Sequence, residues 1–166
     1  MKKIQLIICA LFCSVIVNAQ SNKEDIALIQ AMFGKEKKAL VSEFMTIPDA
    51  KKDAFWKLYD EYEDKRKALG QERISLIEAY AGDYTSLDDK KATSLMTRKF
   101  ALLDKFTKLQ QTYYTKFSTV IGGLQASKLF QLEDYLENNI RLYIQEQIPF
   151  VGELDKTKVE LPAPKQ

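Results

Sequence analysis

The sequence predicts an all-α fold of four helices, in which two long helices form an antiparallel hairpin. Four segments carry apolar residues at three- and four-residue steps, and none alternates as a half-buried strand would. The two middle segments also carry apolar residues at every seventh position, which is the spacing of helices that pack along their length. Short connections between the segments favour antiparallel neighbours. One helical domain is expected over residues 20–150.

The first helix is predicted over residues 22–44. Gly34 interrupts it and is expected to weaken or bend it, because glycine costs about 1 kcal/mol relative to alanine inside a helix. The charged run 35–38 is predicted to be its solvated face. The apolar side chains that indicate this helix are Ile26, Ile29, Phe33, Leu40 and Phe44.

The second helix is predicted to run from Thr46 to Ala81. Thr46 is expected to cap it, Asp49 to complete a capping box, and Pro48 to lie in the first turn, while Gly82 supplies the stop. At 1.5 Å per residue the helix is ~50 Å long, so part of it must be exposed or pack against another subunit. Its seven-residue seam consists of Phe55, Tyr62, Leu69 and Leu76.

The third helix is predicted to open with a second capping box, in which Ser86 is the cap and Asp89 closes the box. It reaches Val120, and Gly122 and Gly123 end it. Two interleaved seams make a broad apolar stripe, which is typical of a helix packed on more than one neighbour. These seams are Leu95, Leu102 and Leu109, and Phe106, Tyr113 and Val120.

The fourth helix is predicted over residues 124–146 and is stopped by Pro149. The segment 151–166 is polar and contains two prolines, so a flexible C-terminal tail is expected there. The side chains of the fourth helix that are expected to face inward are Leu129, Leu132, Leu136, Ile140 and Tyr143.

The N-terminal residues 1–19 have the layout of a secretory signal peptide. A short basic start precedes an apolar run, and small residues stand where a signal peptidase cleaves. Cleavage is expected after Ala19, which predicts a periplasmic or secreted protein without stable membrane insertion. One alternative is a membrane anchor, but about 14 apolar residues fall short of the ~20 that span a bilayer. The other is a lipoprotein acylated at Cys13, which the bulky Phe12 disfavours.

Charge argues against two classes of partner. Loss of the signal would remove two of the 25 basic residues and none of the 23 acidic ones, so the predicted mature chain is neutral. Nucleic-acid binding by counterion release requires a basic excess or a basic stripe, and neither is visible. The same balance disfavours an anionic membrane surface, and other proteins are the expected partners.

The residue types that most enzymes use are missing from the predicted mature chain. It has no histidine and no cysteine, which excludes histidine-containing triads, histidine-ligated zinc and thiol chemistry. No glycine-rich phosphate loop is present either. We therefore expect a non-enzymatic protein without cofactor or metal. Paired carboxylates could still run glycoside chemistry, but lysines share their helix faces, as in a salt-bridged surface. The acidic candidates are Asp60, Glu61, Glu63, Asp64, Asp88 and Asp89.

Aromatic and arginine side chains follow the second helix and predict a partner-binding surface. Both residue types are enriched at interfaces, because they combine a large contact area with a polar group. The alternative is an ordinary core with arginines that reach water at its rim. An exposed aromatic patch would also favour a homodimer. The predicted surface residues are Trp56, Tyr59, Tyr62, Arg66 and Arg73.

Two predicted helix starts resemble a Leu-Thr-x-x-Gln motif. The first lies at residues 45–49 and the second at residues 121–125. With the export signal and the order of the helices, these starts make residues 22–150 similar to the Spy/CpxP group of periplasmic stress proteins. The stretch 132–150 also resembles uncharacterised exported proteins of the Bacteroidetes type. The motif-like residues are Met45, Thr46, Pro48, Asp49 and Gln125.

The resemblance implies a curved helical dimer whose concave face holds unfolded or partly folded proteins without ATP. It predicts an ATP-independent periplasmic chaperone or stress-response binding protein. Because related members dampen a membrane stress sensor, the alternative is a dedicated adaptor or regulator of an envelope sensor protein. The better known members are more basic, whereas this mature chain is neutral, so a largely apolar mode of contact is expected here.

Overall fold

Four α-helices follow one another through residues 36–148, the part of the chain that the computed structural model describes. No strand lies among these residues, so the predicted all-α class is confirmed. The predicted signal peptide, the predicted helical residues 22–35, Pro149 and the predicted tail lie outside the described residues. The helices are α1 (Lys37–Phe44), α2 (Asp49–Asp83), α3 (Asp89–Ile121) and α4 (Gly123–Gln147), and a 3-10 turn, Tyr84–Ser86, follows α2.

The α2 and α3 helices form the predicted antiparallel hairpin. They contain 35 and 33 residues, so each is about 50 Å long at 1.5 Å per residue. The ring centres of Tyr62 and Tyr113 lie 5.4 Å apart. Nearer the hairpin turn, Lys105 Nζ lies 2.6 Å from Glu72 Oε1. The seams with a seven-residue period therefore meet along the hairpin, as the spacing predicts.

The α4 helix runs back along the hairpin and contacts both of its helices. The Gln110 side-chain amide of α3 donates to Asp134 Oδ1 at 2.7 Å. The Phe130 ring lies edge-on to Tyr62 of α2, with centres 5.7 Å apart. Farther along, the Arg73 guanidinium of α2 pairs with the Glu137 carboxylate. The three long helices thus share one interior.

The short helix α1 packs against α2 and α4 where α2 begins. Val41 is fully buried and belongs to the same cluster as Phe55, Phe117 and Ala126. We call this the closed end of the bundle, because four helices meet there. The opposite end, next to the hairpin turn at residues 84–86, is called the open end. Among the described residues, only α2, α3 and α4 are present there.

The start of α2 differs from the prediction. Thr46 is exposed and does not cap the helix. Pro48 takes the N-cap position, so the start of α2 has no side-chain cap. The Lys51 N–H instead donates to the Pro48 carbonyl at 2.8 Å. Asp49 pairs with Lys52 at 2.6 Å rather than closing a capping box. The predicted box is wrong because the backbone stays extended through Pro48, with ψ at 141°.

The hairpin turn also differs from the prediction. The N-cap of α3 is Asp88, whose Oδ1 accepts a hydrogen bond from the Lys91 N–H at 2.8 Å. Ser86, the predicted cap, lies in the 3-10 turn, and its hydroxyl donates to the Asp83 carbonyl at 3.4 Å. Gly82 does not stop α2, which ends at Asp83 and continues into the 3-10 turn. The 3-10 turn thus contains Ser86, the residue predicted as the cap of α3.

Gly122 alone joins α3 to α4. Its N–H donates to the Ser118 carbonyl at 3.0 Å, and its own carbonyl accepts from the Ala126 N–H at 3.0 Å. It therefore closes one helix and opens the next, with φ at 85° and ψ at 153°. L-residues rarely adopt this conformation, so the one-residue joint depends on glycine.

We predict that Gly122→Ala lowers the free energy of unfolding by about 1–3 kcal/mol through backbone strain. A Cβ at this position meets no atom within 4 Å, so steric contact is not the cause. Gly82→Ala is the matched control, because Gly82 is helical and its Cβ also meets nothing. It should raise stability by about 0.5–1 kcal/mol. Urea denaturation of both variants measures these changes, and equal effects of one sign would contradict the account.

Candidate functional site

The closed end is a packed aromatic core. Phe55 and Tyr59 of α2 and Phe117 of α3 are almost completely buried. The ring centres of Phe55 and Phe117 lie 5.5 Å apart, and those of Phe117 and Phe130 lie 6.1 Å apart. Such ring pairs each contribute about 0.5–1.5 kcal/mol beyond the area that they bury. This end therefore supplies stability.

A buried ionic cluster fixes α1 to α2 and α4. Lys37 Nζ lies 2.6 Å from Glu63 Oε1 of α2 and 2.6 Å from Glu133 Oε2 of α4. Arg66 Nε donates to Glu63 Oε1 at 2.8 Å, and the Tyr59 hydroxyl donates to Glu133 Oε1 at 3.0 Å. Each carboxylate thus has two donors, which buried charges require. We call these five side chains the Lys37 cluster.

The two carboxyl groups of the Lys37 cluster are shifted in opposite directions. Burial raises the pKa of Glu133 above its ordinary value of 4.5, although the Lys37 ammonium opposes that shift. Burial also acts to raise the pKa of Glu63, but Lys37 and Arg66 together outweigh burial and lower it. Burial likewise raises the pKa of Tyr59, so this phenol remains a hydrogen-bond donor. Burial is thus the largest single influence on the pKa of each of these three groups.

An apolar groove lies at the open end, with walls from all three long helices. Its volume is about 780 Å³, which is within the range of small-molecule sites. Leu142, on its α4 wall, is half exposed, so the groove opens to solvent. Its apolar lining consists of Leu76, Ile77 and Tyr80 of α2, Leu95, Leu102, Leu103 and Phe106 of α3, and Leu142, Ile144 and Ile148 near the end of α4.

The charged side chains that line the groove are all basic. They are Arg73, Lys99 and Arg141, and no acidic side chain lines it among the described residues. The Arg73 guanidinium lies 4.6 Å from the centre of the Phe106 ring and pairs with Glu137. Arg141 Nε lies 3.8 Å from the same carboxylate. Lys99 has no ion pair in the described part of the chain, so the lining has an excess of positive charge.

The predicted partner-binding surface is wrong for three of its five residues. Tyr59, Tyr62 and Arg66 are only 1%, 2% and 6% exposed. Their side chains face α3 and α4. The alternative interpretation, in which these residues belong to an ordinary core, is therefore correct for them. Arg66 does not reach water either, since it pairs with Glu63 inside the Lys37 cluster.

The other two predicted surface residues are half-buried and lie apart. The Lys38 ammonium lies over the Trp56 indole at 5.2 Å from its centre, at the edge of the closed end. Arg73 is the only one of the five predicted surface residues that lines the groove. Tyr143, predicted to face inward, is instead 49% exposed. The neighbouring residue Ile144 lines the groove and Tyr143 does not, so the predicted inward face is wrong at this position.

The motif-like residues lie at the closed end, away from the groove. Met45 is buried in the same cluster as Ile121, so the two helix starts lie close together. Pro48 and Asp49 are exposed, like Thr46. Gln125 is half-buried, and its Oε1 atom has no hydrogen-bond partner among the described residues.

The acidic candidates for catalysis do not form one site. Asp60 pairs with Lys38 at 2.6 Å on the surface, and Glu61 accepts from the Tyr113 hydroxyl at 2.5 Å. Glu63 is buried in the Lys37 cluster, and Asp88 is the cap of α3. In the described part of the chain, no three histidine, cysteine, aspartate or glutamate side chains are grouped as a metal site would need.

The most buried carboxylate was not singled out from the sequence, although a signal for it exists. Glu133 is 2% exposed and lies four residues after Leu129 and three before Leu136. A lone carboxylate on an apolar helix face indicates a buried ion pair, because its charge must find a partner. Its partner Lys37 was assigned to a solvated face. The α4 wall of the groove, which includes Leu142 and Ile144, was missed as well.

No protein-family model, curated protein or solved structure matches the chain. The likeness to the Spy/CpxP group therefore stays a prediction from the residues. No helix in the described range is both long and apolar enough to cross a membrane.

We predict that Glu133→Gln changes how stability depends on pH. Between pH 4.5 and the raised pKa of Glu133, the folded protein retains a proton that the unfolded chain has lost, so wild-type stability falls as the pH rises. The variant should lack that fall, because the glutamine side chain does not titrate. The pKa of Glu63 is lowered, so its contribution to stability is lost as the pH falls below 4.5. This pH dependence has the opposite sign to that of Glu133.

Asp134→Asn is the matched control for this prediction, because Asp134 is exposed and adjacent in sequence. Its midpoint of urea denaturation should follow the wild-type pH profile. If Glu133→Gln also follows that profile between pH 4.5 and 8, the Glu133 carboxyl does not have a raised pKa in the folded state.

Proposed function

We propose that this chain is a non-enzymatic binding protein that holds apolar segments of other proteins without ATP, outside the cytoplasm. The observation that carries this proposal is the open apolar groove of about 780 Å³ at the open end. Apolar surface that remains open in a folded chain marks a binding site, because leaving it in water costs free energy.

The shape of the groove suits side chains from a helix or a partly folded segment. The lining residues of α3, from Leu95 to Phe106, span about 16 Å at 1.5 Å per residue. That length accommodates two to three turns of an apolar helix face, in the manner of helix-in-groove recognition. Neighbouring exposed apolar side chains, Met96 and Phe100 on α3, extend the contact surface.

The chemistry of the groove supports binding over catalysis. Its described lining has apolar, amide and cationic side chains, and none is a carboxylate, histidine or cysteine. General acid–base chemistry most often uses histidine, glutamate or aspartate side chains, and none of these lines the groove among the described residues. The predicted export signal and the resemblance to periplasmic stress proteins support a role outside the cytoplasm.

We predict that the double variant Ile77→Glu/Leu142→Glu loses most of its ability to suppress aggregation of a denatured test protein. Two carboxylates in the groove would be desolvated by a bound segment, which costs several kcal/mol. Both positions are only partly buried, so the fold should survive. Light scattering of the test protein, with the chain at near-stoichiometric amounts, measures the loss.

Leu124→Glu is the matched control, because Leu124 is 84% exposed and lies at the closed end. It should suppress aggregation as well as wild type. Two results would refute the proposal: wild-type protein that fails to suppress aggregation at a large excess, or a groove variant as active as the control.

A further inference from the structure

We propose that the groove also binds a single-chain amphiphile with an anionic head group, of the long-chain fatty acid class. This is a second ligand for the groove and does not depend on its binding other proteins. Three features lead to it: the apolar walls, the small number of hydrogen-bond partners inside the groove, and the charge of the lining.

The walls are suited to a hydrocarbon chain. They come from three helices, whose backbone N–H and C=O groups are paired within the helices except in the last turn of α4. An extended peptide in this groove would leave its own amide groups with few partners, since the described uncharged polar lining side chains are Tyr80, Asn138 and Gln145. Each unpaired buried amide costs about 1–3 kcal/mol. A hydrocarbon chain has no such groups and gains about 0.8 kcal/mol per buried methylene.

The groove is closed on the side of the core. Phe106 lines both the groove and a residual cavity of about 10 Å³ next to the Lys37 cluster. That cavity is large enough for at most about one water molecule. A chain entering at the open end therefore stops near Phe106, where Arg73 stacks on the ring at 4.6 Å.

The charge of the lining selects the head group. Lys99 of α3 has no ion pair among the described residues, and Arg73 and Arg141 share the single carboxylate of Glu137. Because no described lining residue is acidic, a cationic head group would find no carboxylate partner in the lining. A carboxylate would pair with Lys99 and compete for Arg141, and Arg141 is partly exposed to the solvent in which the head group would lie.

The test compares three amphiphiles with the same 16-carbon chain, which are palmitate, hexadecanol and hexadecyltrimethylammonium. Each is titrated below its micellar concentration into the chain expressed from Gln20, with displacement of a fluorescent naphthalene sulfonate dye as the signal. Palmitate should bind one per chain, and each of the other two should bind about fivefold to tenfold more weakly, as expected for the loss of one or two partly exposed ion pairs. Equal affinity for all three would overturn the proposal.

The variant Lys99→Glu identifies the site. It should weaken palmitate binding about fivefold and improve binding of hexadecyltrimethylammonium. Arg98→Glu is the matched control: it makes the same change of charge at the next residue, which is exposed and does not line the groove. It should bind both amphiphiles as wild type does. Equal effects of the two variants would show that only net charge matters, which overturns the assignment to the groove.

Other occupants of the groove give different results. Binding to phosphatidylglycerol vesicles without binding of free palmitate would overturn the proposal in favour of a membrane surface. A stable dimer by light scattering that Lys99→Glu dissociates and palmitate does not would overturn it in favour of a second copy. Palmitate binding together with no suppression of aggregation would support the amphiphile site and refute the protein-binding proposal alone, so the two failures can be told apart.

Discussion

The ammonium group of Lys37 links α1 to α2 and α4, between the closed end and the open end of the bundle. It bridges a carboxylate of α2 and a carboxylate of α4, both at 2.6 Å. Without this group, Glu63 would keep Arg66 as its cation, but the buried Glu133 would retain only the Tyr59 hydroxyl at 3.0 Å. Removing one member of a buried pair typically costs 3–5 kcal/mol. This side chain, together with the buried Val41, therefore fixes the position of α1 along the bundle.

That position separates a sealed core from an open groove. On one side of Lys37, α1 covers the aromatic rings of the closed end, and Val41 is fully buried. On the other side, Phe106 forms the boundary, and the apolar residues of α2, α3 and α4 face an opening rather than a fourth described helix. The same helices thus supply stability at the closed end and the proposed binding groove at the open end. This explains how an apolar surface can stay open without loss of the fold.

Local chemistry in the sequence predicts the helices well and the site poorly. The seven-residue seam that contains Tyr62 predicts the hairpin, and Gly122 predicts the end of α3, because both signals act within one or two helices. Thr46 and Ser86 are not the caps. Because of Pro48 and the 3-10 turn, each N-cap lies two residues later than predicted. Arg73 was placed on the correct helix, but the sequence did not show that α4 completes a groove beside it.

We propose that ligands bind in the groove and at no other apolar surface of the described chain. Methyl NMR spectra during titration with a denatured test protein examine this directly, because leucine and isoleucine methyl groups report on both ends of the bundle. The methyl signals of Ile77, Leu103 and Ile144 should shift or broaden first, while those of Ile47 and Leu124 at the closed end stay unchanged. Changes confined to the closed end, with unperturbed groove signals, would contradict it.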